Sequence, residues 1–121
     1  MDALLLRHGY RKEGLYWRCE DNKKDTILLF CHFAVGSAIL AHLTGASPMP
    51  IWHGMCAAPS SVTTVVTEER RKGEIQFRCC GFGDISHLYC ADEPYSTAGL
   101  FCECYDGRDS TAPIEWEQNR E

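Results

Sequence analysis

Apolar and polar positions fall into short blocks along this chain, and the spacing inside each block predicts its element. Leu4, Leu5 and Leu6 follow Asp2 and precede Arg7, His8 and Gly9. That order predicts a short helix: Asp2 caps it, the basic pair suits the negative end of the helix dipole, and Gly9 stops it. Residues 15–19, Leu-Tyr-Trp-Arg-Cys, are aromatic and β-rich. A polar turn over 20–25 and a near-continuous apolar run over 26–31 complete a hairpin signal. An apolar run of this kind reads as a strand buried on both faces, in the middle of a covered sheet. Residues 33–44 repeat apolar groups at helical spacing, and Gly45 and Pro48 end that helix. Residues 46–60, with Pro48, Pro50, Pro59 and the trio Trp52-His53-Gly54, read as a loop. The β-branched stretch 61–67, a charged turn over 68–74 and a return strand over 75–82 predict an antiparallel hairpin. Beyond 83–88 the pattern fades.

Length and composition narrow the class. With 121 residues, 45% hydrophobic and 24% charged, the chain has the size and balance of one globular domain. Residues 1–105 read as that domain and 106–121 as a polar tail. Twelve basic against 17 acidic residues give a formal charge of −5, which disfavours a nucleic-acid binder relying on net positive charge. No apolar run approaches the roughly 18 residues of a membrane span. The N-terminus lacks the basic start and the apolar core of about 7–15 residues that a signal peptide needs. The expected location is therefore cytoplasmic, with reduced thiols. The eight cysteines contain no C-x-x-C pair, and Cys102 and Cys104 form a lone C-x-C. Cysteines inside apolar runs, such as Cys31 and the Cys79-Cys80 pair, read as small core hydrophobes. No metal or cofactor is expected.

The junction at His32 carries the main chemical signal. A histidine at the carboxyl end of a strand, ahead of a helix, lies where ligands bind in open α/β sheets. The first turn of a helix offers unpaired N–H groups to an anion. Cys31 is adjacent, but strand neighbours point to opposite faces, so the two do not form a nucleophile–base pair. His42 reads as a surface or groove residue, His53 as a pocket wall, and His87 as a residue that pins a turn. Trp17, Trp52 and Trp116 read as packing residues.

Residues 26–45, with an apolar strand, His32 and a helix ending Leu-Thr-Gly, resemble the C-terminal half of the histidine phosphatase (phosphoglycerate mutase-like) superfamily. Residues 58–65 look like that family's small-residue entry into a late strand. Residues 83–88 are similar to its terminal His-Leu segment. The likeness covers about residues 10–90 in the family's order. It implies that His32 matches the second active-site histidine, which supports a phosphohistidine step, and that the backbone N–H of Phe33 lies beside the phosphate. The family has glycine after this histidine, whereas Phe33 and Ala34 stand here. Arg7-His8-Gly9 also spells the family's nucleophile motif. Residues 9–26 read as strand and turn without the crossover a parallel strand needs, so the trio is assigned to a helix end.

The resemblance implies an α/β fold, a partial three-layer α/β/α sandwich whose mixed sheet joins the 26–31 strand to antiparallel hairpins. The family's nucleophile, arginines and acid residue lie in a longer N-terminal half, so the chain reads as a truncated or split version. The implied activity is a phosphomonoesterase acting on a small phosphorylated metabolite, weak or inactive as a lone chain because phosphohistidine chemistry needs those groups. The alternative is a non-catalytic binding or assembly module that keeps the fold remnant. An exposed sheet edge would invite self-association or a partner chain. Neither nucleic acid nor membrane is an expected partner.

Overall fold

The computed structural model describes residues 1–21 and 24–97. The expected tail over 106–121, Trp116 and the Cys102/Cys104 pair lie outside them. The order of elements is α1 (Asp2–Arg7), β1 (Arg11–Glu13), β2 (Tyr16–Arg18), α2 (Phe33–Thr44), α3 (Pro48–Gly54), β3 (Val62–Arg71), β4 (Glu74–Asp84) and α4 (Ser86–Cys90). Helices and one four-stranded antiparallel sheet, ordered β1-β2-β4-β3, make the chain a mixed α and β protein. Two compact units are distinguished: Met1–Met55 with Thr64–Cys80, and Cys56–Thr63 with the chain from Gly81.

In the first unit, α1 forms where the leucine run predicts it. Met1, not Asp2, takes the N-cap position; Asp2 lies in the first turn, where its charge still meets the positive end of the dipole. Gly9 and Gly45 adopt left-handed φ values of 89° and 74° behind α1 and α2, as expected of glycines that end helices.

The first hairpin differs from its expected form. Its strands are β1 and β2, joined at Gly14-Leu15, with Lys12 opposite Trp17 and Glu13 opposite Tyr16. Arg11, Lys12 and Glu13 include no apolar residue and give no strand signal, yet a strand at the edge of a sheet accommodates charged side chains. β2 then pairs with β4, bringing Trp17 opposite Ile75. These two side chains, 2% and 0% exposed, centre a core that includes Leu5, Tyr10 and Cys19. Phe77 meets the Trp17 ring edge-on at 5.5 Å and Tyr10 at 5.8 Å. Burial pushes the Tyr10 phenol above its ordinary pKa of 10.0.

Residues 26–31 are not a strand. They run unpaired into α2, with Leu28 75% and Phe30 96% exposed. Hydrophobicity alone does not make a strand; a partner edge must complete the hydrogen bonds and cover the side chains. The sheet's internal positions are held by β2 and β4 instead.

α2 spans its expected residues and buries Ser37, Leu40 and Ala41. The Ser37 hydroxyl, 3% exposed as a residue, has no hydrogen-bond partner among the described residues. The expected loop over 46–60 contains a helix instead: Pro48 and Pro50 start α3, which packs against α2. Proline suits the first turn of a helix, where its missing N–H costs no bond.

The second strand pair is longer than expected, with the turn tightened to Lys72-Gly73. The cysteines expected as core hydrophobes are not in the core: Cys31, Cys79 and Cys80 are exposed, as are Cys56 and Cys90, and among the described cysteines Cys19 is the one buried there. In the second unit, the Gly83 N–H donates to the Thr63 hydroxyl at 3.2 Å. The Asp84 carboxylate accepts from the Ser86 N–H at 2.8 Å, and that bond lowers its pKa. α4 follows and contains His87.

Candidate functional site

His32 is the N-cap residue of α2, in an extended conformation, and its carbonyl accepts the Gly36 N–H at 2.9 Å. Its ring is exposed and makes no cap bond. Phe33 begins the helix and is half-buried. The sulfur of Cys31 lies close enough to the first turn of α2 that a Cβ added at Gly36 would meet it at 3.5 Å. The histidine–helix junction exists as expected, but the strand that was to present it does not.

His8 pairs with Asp25, Nδ1 to Oδ2 at 3.0 Å, and so links the end of α1 to the segment that leads to α2. Arg7, His8 and Gly9 form a helix end, in agreement with that reading of the Arg-His-Gly trio. His53 stacks on Trp52 at 5.5 Å between ring centres, on α3. Among the described residues, no group of three metal-binding side chains comes together.

A different set of side chains does converge, around His42. The β1–β2 register puts Lys12 directly across from Trp17, and opposed residues share a face of the sheet. The Lys12 ammonium lies 5.5 Å from the Trp17 ring centre, and His42 meets that ring edge-on at 5.6 Å. Lys12 Nζ reaches His42 Nδ1 at 3.3 Å and the His42 carbonyl at 3.4 Å. On the other side of the imidazole, Nε2 bonds to Asp2 Oδ1. Lysine has only donors, so Nδ1 accepts and the ring proton lies on Nε2, donating to Asp2. This bond holds the Asp2 carboxyl below its ordinary pKa of 3.8.

Lys12, Trp17 and His42 line one side of an open groove of about 470 Å³. Leu15 forms a lip, 85% exposed, while Ala38 and Ala41 of α2 form an opposite wall. Trp17 is part of the lining, and among the described residues Lys12 is the only charged side chain in it. Asp2 is held behind the imidazole and is not part of the wall. Neither His32 nor Phe33 lines this groove.

His42 was legible as a groove residue, but its partners were not. The helical spacing of Ala38, Ala41 and His42 was the available signal for the wall. Gly14, at a left-handed φ of 65°, was the available signal for the tight turn that brings Lys12 to Trp17.

No helix among the described residues is long and apolar enough to cross a membrane. No family model matches the chain, and neither does any curated protein or solved structure.

Proposed function

We propose that the chain acts as a non-catalytic binding module whose working surface is the groove between the β1–β2 hairpin and α2. One observation carries this reading: Asp2, His42 and Lys12 satisfy one another at the edge of a cavity of about 470 Å³ whose other walls are largely apolar. That volume falls in the range of small-molecule sites, roughly 300–1,000 Å³. The imidazole is engaged on both nitrogens, and among the described residues no serine or cysteine is part of the lining, so the arrangement favours binding over nucleophilic chemistry.

The second reading is the phosphomonoesterase of histidine phosphatase type, acting on a small phosphorylated metabolite through His32. It is favoured by the position of an exposed imidazole on the N-cap of α2, next to the Phe33 amide. It carries with it the partial three-layer sandwich, and requires residues 26–31 to join a sheet. A second copy of the chain or another partner would supply the strand edge, and the nucleophile and cationic groups besides.

Hydrolysis of p-nitrophenyl phosphate by the full chain separates the two readings. The binding-module reading expects no turnover above background and no change in His32→Ala. Turnover abolished by His32→Ala would establish the phosphatase reading in its place.

A further inference from the structure

We infer that the groove takes an amphipathic monoanion, a carboxylate carried on an unbranched hydrocarbon body; this rests on the binding-module reading above. The charge pattern selects the head group. Among the described residues Lys12 is the only charged side chain in the lining, and its ammonium spends donors on His42 Nδ1 and the His42 carbonyl. An ammonium has three donors, so one remains for a ligand. Asp2, which balances the Lys12 charge overall, is bonded to the far side of the imidazole and presents no oxygen to the groove. A ligand inside therefore meets a positive charge first, and a cationic ligand is repelled. One ammonium leaves part of a phosphate dianion's charge uncompensated. A carboxylate matches one ammonium.

The remaining walls select the body. Leu15, Ala38 and Ala41 present hydrocarbon, and the small side chains of α2 leave the space that a larger residue would fill. Leu15 is 85% exposed, an isolated apolar lip with nothing among the described residues covering it. A hydrocarbon chain lying along the wall would cover it and remove apolar surface on both partners from water.

Titration calorimetry on the full chain with octanoate, hexanoate, octanol and octylamine tests the assignment. Octanoate is expected to bind one-to-one, with octanol and octylamine at least about tenfold weaker, because a bond to a charged group is lost. Hexanoate should bind weaker than octanoate by about threefold to fourfold per methylene removed. Lys12→Met should erase the preference for octanoate over octanol. Ala38→Leu, a change on the exposed side of α2 that fills the groove, should abolish binding of both. Octanol binding as tightly as octanoate would overturn the anion assignment and leave the binding-module reading standing. Octanoate binding untouched by Ala38→Leu would overturn its placement in the groove. No binding of any of the four probes would overturn the inference; if Ala38→Leu then also leaves the fold and every other property unchanged, the binding-module reading falls with it.

Discussion

Two apolar stretches of similar sequence character meet opposite fates in this molecule. Residues 15–19 hold Trp17 and Cys19, and both are buried. Residues 27–30, Ile-Leu-Leu-Phe, are more hydrophobic, yet Leu28, Leu29 and Phe30 are all exposed. The difference is the partner. Trp17 lies on a strand that pairs with β1 on one side and β4 on the other, and β4 supplies Ile75 opposite it. Residues 26–31 pair with no strand among the described residues. Burial follows from completed backbone hydrogen bonds and facing side chains, not from the apolar count of a segment.

The largest expected effect comes from the buried side of this comparison. Trp17→Ala should destabilise the protein by about 3–5 kcal/mol, because it empties the centre of the core and removes the edge contacts to Phe77 and His42. Urea unfolding followed by circular dichroism reads this directly. Unchanged stability would mean that the sheet does not rest on Trp17.

Ser37→Ala should raise stability by about 1 kcal/mol. The hydroxyl is buried without a partner among the described residues, and such a group costs roughly 1–3 kcal/mol when left unsatisfied. A loss of stability would show that the hydroxyl is bonded in solution.

Phe30→Ser should shift stability by no more than about 0.5 kcal/mol, as expected for an exposed position. The same change should lower binding of a hydrophobic dye, since Phe30 belongs to an exposed apolar run. A drop in stability comparable to that of Trp17→Ala would dissolve the contrast between the two stretches.

The smallest effect is the dependence on pH. The Asp2 carboxyl is held below its ordinary 3.8 by the His42 N–H, so this bond stabilises the fold above that pH. The contribution is lost as the pH falls through the lowered folded value, where the carboxylate takes up a proton. Asp2→Asn should therefore have a slightly lower melting temperature than the parent near neutral pH. The two should converge well below pH 3.8. A difference that persists in acid would assign the effect to something other than the Asp2 charge.

The contrast also explains what was legible in the sequence. α1, α2 and the long β3–β4 pair announced themselves because local signals agree with burial: leucines ahead of Arg7 and Gly9, helical spacing up to Gly45, and a β-branched run at 62–67. Three elements were misread where local signals and tertiary context part. Arg11, Lys12 and Glu13 carry no strand signal but form an edge strand. Pro48 and Pro50 look like loop residues but start a helix. The run 26–31 looks like a central strand but pairs with no strand among the described residues. The histidine at the start of α2 was legible, because a helix beginning at Phe33 fixes its position. The convergence of Asp2, Lys12 and His42 was not, because their contacts depend on how α1, β1 and α2 pack together.

The most direct test of the account is to ask which region of the molecule responds to a ligand. Proton–nitrogen correlation spectra of the labelled full chain, recorded during addition of octanoate, should shift the Trp17 indole N–H and the amides of Lys12, Ala38 and His42 together. The amides of residues 32–36 should stay in place. Shifts that gather at the start of α2 and leave the Trp17 indole unmoved would contradict the account, and would return attention to His32 as the anion site.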